Sequence, residues 1–169
     1  NKEINSEQEL TSKKIQKKTK DDISQERDLF FNIEYSGFDL QGNRYLLKSK
    51  EAYIDEVNNE IIYMRGVNAV FYFKDNTTLY VKADNAIYNN STYNTLFEKN
   101  VRVQYMDNTI LSEKLDINFK ENLIIVYDNI VYDGKEGKVK ADNMIINLIT
   151  KNVEIFMNNS KDKVKIRSR

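Results

Sequence analysis

The sequence predicts an all-β fold, an open twisted β-jellyroll or β-roll built from repeated antiparallel strand pairs. Three observations predict it: the apolar residues are rich in Ile, Val, Leu, Tyr and Phe, short alternating runs follow Leu29, and two sequence markers recur at regular spacing. Such side chains suit the pleated, half-buried surface of a strand better than the surface of a helix. A chain of 169 residues is long enough to bury a core within one domain.

Residues 1–28 differ from the rest of the chain because they contain few large apolar side chains. A basic stretch runs from Lys13 to Lys20, which suits a segment that lies near a membrane surface. The segment cannot bury enough apolar surface to fold alone. We therefore predict a disordered or helical linker over 1–28 and a β domain over 29–169.

Short alternating runs separated by Asn, Asp, Gly and Lys begin at Leu29 and are typical of successive strands and turns. In the clearest run, Val67, Ala69, Phe71 and Phe73 fall on one side of their strand. Similar alternation occurs in 101–105 and 115–119. Each strand is therefore expected to have one apolar face and one face that stays polar.

An internal repeat is the most informative feature of the sequence. The pentapeptide Val81-Lys82-Ala83-Asp84-Asn85 recurs unchanged at residues 139–143, which is 58 residues later. Residues 111–114 occupy the midpoint in weaker form and give a period of 29, and residues 49–52 relate to 83–86 with a period of 34. These periods predict four stacked repeats, because one strand pair cannot hide its own apolar face.

A second marker runs in step with the first. Gly66, Asn100, Asn129 and Asn158 are spaced 34, 29 and 29 residues apart. Gly and Asn both tolerate a positive φ, so we predict a turn or bulge between the two strands of each repeat.

The composition excludes most catalytic chemistry. The chain contains no His and no Cys, which removes imidazole bases, thiolate nucleophiles and the common zinc sites. We therefore predict no enzyme activity, no metal and no cofactor. The formal net charge is zero, so no nucleic-acid partner is expected.

Three stretches resemble the family that contains LptC, LptA and the N-terminal domain of LptD, an OstA-like jellyroll superfamily. They are Tyr35 to Leu47, the repeated Val-Lys-Ala-Asp-Asn, and the steps Gly66-Val67 and Asn100-Val101 into a strand. The stretch from Tyr35 to Leu47 looks like the LptC entry motif, whereas the other two match the pattern that the whole family shares. The resemblance covers Phe30 to Met157.

The resemblance implies a periplasmic jellyroll, anchored to the inner membrane by an N-terminal segment that lies outside this sequence. It implies non-enzymatic binding of lipopolysaccharide and its relay from the inner-membrane ABC transporter (LptF/LptG with LptB) to an LptA-like periplasmic jellyroll. Two alternatives stay open. One is a scaffold of β-rolls that associate edge to edge around a closed core, and the other is an LptA-like soluble bridge component or a detached LptD domain.

Inward-facing apolar residues are the predicted lipid-binding set, with a closed core of their own side chains as the alternative. The set is Val67, Ala69, Phe71, Phe73, Leu79, Val81, Ala83, Val101, Val103, Leu115, Ile117, Phe119, Val139, Ala141, Met144, Ile146, Leu148, Val153 and Ile155.

Strands at the two ends of the roll are the predicted partner edges, because an unpaired edge invites pairing with another chain, including a second copy. The residues are Phe31, Ile33, Tyr35, Val153, Ile155, Met157, Val164 and Ile166. By resemblance the first edge faces the transporter and the last faces LptA. The alternative is an edge protected from aggregation by its charges, such as Lys163, Lys165 and Arg167.

Overall fold

Ten strands form one open antiparallel sheet in the computed structural model, which describes residues 28–39, 41–135, 137–157 and 164–166. The strands are β1 (Leu29–Phe38), β2 (Arg44–Ile54), β3 (Ile61–Tyr72), β4 (Thr78–Asn89), β5 (Thr95–Tyr105), β6 (Asn108–Asn118), β7 (Leu123–Gly134), β8 (Gly137–Asn147), β9 (Val153–Phe156) and β10 (Val164–Ile166). Each strand pairs with the next along the chain. The predicted all-β roll is confirmed, and the predicted linker lies outside the described residues apart from Asp28.

A line of irregular backbone crosses the sheet through the middle of its long strands. Asn32, Gly66, Asn100 and Asn129 have φ values of 52°, 63°, 51° and 57°. The strand register shifts at the same level between β4 and β8. We call this line the crease, and its residues are Asn32, Lys50, Gly66, Asp84, Asn100, Glu113, Asn129 and Asp142.

Both sequence markers lie on the crease. Gly66, Asn100 and Asn129 are inside β3, β5 and β7, so the predicted boundary between two strands is corrected to an irregularity within one continuous strand. The physical reason is that a bulge bends a strand while the ladder continues on both sides. The register shifts, as at a bulge, beside Asn100 and Asn129, whereas Gly66 has a positive φ without a register shift. Asn158 lies outside the described residues.

The crease divides the sheet into two half-sheets. The first half-sheet comprises 33–38, 44–49, 67–72, 78–83, 101–105, 108–112, 130–134 and 137–141. The second comprises 29–31, 51–54, 61–65, 85–89, 95–98, 114–118, 123–127 and 143–147, together with β9 and β10.

The apolar face stays on the same side of the sheet across the crease. In β3 the buried residues are Ile62 and Met64 before Gly66, and Val67 and Ala69 after it, so the alternation slips by one residue. β4 shows the same slip, because Ala83 and then Ala86 are buried. The bend therefore brings two apolar faces toward each other.

The outer face departs from the predicted polar surface in the second half-sheet. Beside the crease of the first half-sheet, the cross-strand row Lys48, Asn68, Lys82 and Arg102 is exposed and polar. In the second half-sheet, a half-buried row crosses the seven strands from β2 to β8 and is apolar on all of them except β6. On β6 the row contains Asp116, whose pKa is raised mainly by burial. The apolar residues of the row are Tyr53, Tyr63, Ile87, Leu96, Ile125 and Ile145.

Substitution of Gly66 tests the crease. We expect Gly66→Ala to lower the free energy of unfolding by about 1–2 kcal/mol, because an L residue with a side chain disfavours the left-handed φ of 63°. Gly66→Asn should lose less, since Asn tolerates this conformation and occupies the matching positions in β5 and β7. Urea unfolding checks both variants, and equal losses for Ala and Asn would contradict the backbone explanation.

Candidate lipid-binding interior

The inner faces of the two half-sheets form one hydrophobic core. Most of the predicted lipid-binding set belongs to it, with Val67 and Leu115 completely buried. Ile146, Leu148 and Val153 are half-buried against this core, and Val139 is 37% exposed. The structure therefore brings the set together as an interior that its own side chains fill.

Other residues of the same interior were absent from the predicted set. They are Tyr45, Leu47, Ala52, Ile62, Met64, Ala86, Tyr88, Phe97, Ile110, Ile124, Val126 and Ile130. Many of them lie beyond the crease, where the alternation resumes with its phase shifted. The one-residue slip is visible in the sequence as Ala83 followed by Ala86 and Tyr88, so it could have identified several of them.

Aromatic rings join the half-sheets on the side away from the crease, along a line that we call the seam. Phe119 directly follows the part of β6 that belongs to the second half-sheet. The centroid of its ring is 5.6 Å from that of Tyr45 and 5.9 Å from that of Phe71, both in the first half-sheet. These strands are not neighbours in the sheet, so the contacts cross the interior. Tilted pairs at such separations add to the stabilisation from burial.

Two buried tyrosine hydroxyls also meet across the seam. Tyr45 Oη and Tyr88 Oη are 3.3 Å apart, and both side chains are buried. Burial raises the pKa of Tyr88 far above the ordinary tyrosine value, and the hydrogen bond with Tyr45 adds to the shift. Burial also raises the pKa values of Tyr45 and Tyr35. The hydroxyls of Tyr45 and Tyr88 are therefore neutral hydrogen-bonding groups over the physiological range of pH.

A few interior side chains on β7, β8 and β9 are only partly buried. Tyr132 is half-buried, and its hydroxyl donates to Asn108 Oδ1 at 2.8 Å. On β8, β9 pairs with residues 143–146, and in the described part of the chain residues 137–141 form an edge of the first half-sheet. Val139 lies on this edge. The interior thus reaches the surface at the C-terminal end of the described sheet.

The predicted partner edges occupy different positions in the sheet. Phe31, Ile33 and Tyr35 lie on β1, which is the first edge. Val153 and Ile155 lie on β9, which is paired on both sides, and Ile155 is buried in the core. Val164 and Ile166 lie on β10, the last strand of the described sheet, and Met157 follows β9 with 41% exposure.

A polar cavity of about 400 Å³ lies at the crease. It is lined by Glu113, Asp128, Asn129, Asp142 and Asn143. Among the described residues, no group of His, Cys, Asp or Glu has an arrangement that could hold a metal ion. We assign this cavity no role in binding.

A family model described as "Lipopolysaccharide-assembly, LptC-related" matches residues 4–166. This chain belongs to the LptC family. Membership connects it with lipopolysaccharide transport, in which LptC-related proteins are components that face the periplasm. A comparison with individually curated proteins found no significant match. In the described part of this LptC-related chain, no helix is long and apolar enough to cross a membrane.

A truncation in the core tests how tightly the interior is packed. We expect Leu115→Ala to lower the free energy of unfolding by about 2–5 kcal/mol, because Leu115 is fully buried and leaves a cavity. The matched control is Leu111→Ala on the same strand, where a side chain 40% exposed should cost less than about 0.5 kcal/mol. Equal losses in urea unfolding would indicate a loose interior.

The tyrosine pair predicts a loss of stability in alkali. The unfolded chain releases the Tyr88 proton near pH 10, whereas the folded chain keeps it because the folded pKa is raised. Stability is therefore unaffected below pH 10 and falls above it, by up to about 1.4 kcal/mol per pH unit for each protected tyrosine.

Urea unfolding between pH 9 and pH 11 measures this slope. Tyr88→Phe should make the slope shallower, while Tyr80→Phe, at a half-exposed position on the outer face, should leave it unchanged. The explanation fails if Tyr88→Phe and the unsubstituted chain lose stability in parallel.

Proposed function

We propose that this LptC-related chain is a non-enzymatic carrier and scaffold in the periplasm. It receives lipopolysaccharide from the inner-membrane ABC transporter (LptF/LptG with LptB) and passes it to an LptA-like jellyroll. The observation that supports this most directly is the continuous apolar interior between the half-sheets, which reaches the surface at the β8 edge. Attachment to the inner membrane through a segment upstream of the β domain is part of the proposal.

The energetics of the cargo require an apolar carrier. Exposing an acyl chain of about a dozen methylene groups to water costs roughly 10 kcal/mol, at about 0.8 kcal/mol for each methylene. An amphiphile with several such chains cannot diffuse freely across an aqueous compartment. A roll with an apolar inside and exposed, charged groups such as Lys82 and Arg102 on its outside provides the needed environment.

Loading requires that acyl chains replace contacts between the two inner faces. Those contacts are mainly apolar and non-directional, so hydrocarbon can substitute for side-chain carbon without leaving polar groups unpaired. The sheet is open at β1 and at its last strands, so the half-sheets can separate without breaking a closed ladder of hydrogen bonds. The fold therefore suits reversible opening better than a sealed barrel would.

The sheet ends suit docking of neighbouring rolls. β1 faces the transporter in this proposal, and residues 137–141 of β8 together with β10 face the next jellyroll. A strand added at residues 137–141 would continue the first half-sheet and cover Val139, thereby extending the apolar interior into the partner. Contacts between the first edge of one roll and the last edge of another are head-to-tail and can propagate.

Photo-crosslinking tests the carrier. A photoreactive amino acid at Ile117, which points into the interior, should capture lipopolysaccharide when the transporter hydrolyses ATP, because acyl chains then replace core contacts. The same group at Arg102 on the outer face should capture none. Equal labelling at the two positions would exclude the interior as the binding site.

A closed interaction module is the second candidate function, and the complete burial of residues such as Val67, Phe97 and Leu115 favours it. It predicts that lipid does not copurify with the chain or raise its melting temperature. Both candidates predict docking at the β8 edge, so the interior probe and the two lipid-binding measurements separate them.

A photoreactive group at Val139 tests the edge. We expect it to capture an LptA-like jellyroll or a second copy of this chain, because the first half-sheet ends there. The control position is Tyr80, which is 50% exposed in the middle of the sheet. Capture at Tyr80 and not at Val139 would place the docking surface on the sheet face.

A further inference from the structure

The seam is closed by a small number of side chains from strands that do not pair with each other. Tyr45 lies on the part of β2 that belongs to the first half-sheet, and Tyr88 lies on the part of β4 that belongs to the second. Their hydroxyls form a hydrogen bond between inner faces, and their rings are flanked by other aromatic rings. Tyr35 is 5.1 Å from Tyr88, and Tyr93 is 6.0 Å from Tyr45, between ring centroids.

Gly37 allows Tyr45 to take this position. Gly37 on β1 is the cross-strand partner of Tyr45, and the ring lies directly over it. A Cβ atom at Gly37 would be only 2.7 Å from Tyr45 Oη. The absence of a side chain on β1 thus leaves room for the Tyr45 ring and hydroxyl.

The hydroxyl pair differs physically from the rest of the interior. Apolar contacts can be exchanged for contacts with an alkyl chain at little cost, because dispersion and burial have no required direction. A hydrogen bond between two buried hydroxyls is directional, and each hydroxyl becomes costly if it stays buried alone. Separating Tyr45 from Tyr88 is therefore favourable only when both hydroxyls reach water or another polar group.

We propose that the Tyr45 and Tyr88 hydroxyl pair is a latch that holds the empty interior closed and must part before an acyl chain enters. The inference rests on the proposed carrier function and identifies how access to the interior is controlled. When no acyl chain is present, opening would expose the two apolar faces to water. The interior therefore stays closed and the hydroxyls stay paired. When an acyl chain covers those faces, the hydroxyls are left at the seam, where water or the polar part of the amphiphile can pair with them.

A reversible covalent lock tests the latch. The chain has no Cys, so Tyr45→Cys with Tyr88→Cys introduces its only thiols, which a bismaleimide with an internal disulfide can join. The assay is photo-capture of lipopolysaccharide from Ile117 in proteoliposomes that contain the transporter and ATP. We expect the lock to reduce capture at least about ten-fold and dithiothreitol to restore it.

The matched control joins thiols that do not span the seam. Lys48→Cys with Lys82→Cys places both thiols on the outer face of the first half-sheet, two strands apart, and its crosslink should leave capture unchanged. Capture that persists in the locked seam would overturn the latch while the carrier function stands. Absence of capture from Ile117 with both tyrosines intact would instead overturn the carrier function.

Removal of one hydroxyl gives a second test that retains the rings. Tyr45→Phe leaves the Tyr88 hydroxyl buried without its partner, which disfavours the closed state, so capture from Ile117 should rise by about five- to ten-fold. Tyr45→Phe with Tyr88→Phe removes the hydrogen bond without leaving a buried hydroxyl unpaired, so capture should rise by a smaller amount, about two- to five-fold. Tyr80→Phe on the outer face is the control. A double variant that captures at the original rate would overturn the latch.

Discussion

The crease is the constraint on which the rest of the molecule depends. A meander of long antiparallel strands has one apolar face, and a flat sheet of this kind would leave that face in water. Positive φ values at Gly66, Asn100 and Asn129 bend the long strands at one level, and the register shifts beside Asn100 and Asn129 while the ladder continues on each side. Because the alternation slips by one residue in β3 and β4, both halves of the bent sheet present apolar side chains to the inside.

The regularly spaced markers allowed the repeated β fold to be predicted, but the backbone structure at the marker positions could be predicted only in part. The spacing of Gly66, Asn100 and Asn129 indicated a repeated backbone feature, and the structure places a positive φ at each. Sequence alone could not distinguish a turn that separates two strands from a bulge inside one, because both need residues that tolerate this conformation. The slip after Ala83 was readable, whereas the meeting of Tyr45 with Tyr88 depends on the bend of the sheet and has no local signal.

A buried interior is compatible with the proposed carrier function because the two kinds of contact are separate. Backbone hydrogen bonds join neighbouring strands, whereas side-chain contacts join the two half-sheets. Strand pairing is local, since each strand of the described sheet pairs with its neighbours in sequence, and β1 and β10 lie at opposite ends of the strand order. Within the described residues, the half-sheets are joined across the seam by side chains such as Tyr45, Tyr88 and Phe119. Moving the half-sheets apart therefore breaks dispersion contacts and few hydrogen bonds. The backbone hydrogen bonds that define the fold can remain while contacts between side chains are replaced by contacts with acyl chains.

The two ends of the roll differ in how well they seal this interior. Near β2, β3 and β4, the rings of Tyr45, Phe71 and Tyr88 occupy the seam, and the neighbouring core is nearly inaccessible to water. Near β8 and β9, Val139 and Val153 are only partly covered because, among the described residues, the first half-sheet ends at β8 whereas the second continues to β9 and β10. A partner strand along residues 137–141 would remove that difference by covering the exposed end. Docking and carriage would then depend on the same apolar surface, since the partner that completes the first half-sheet also extends the inside of the roll.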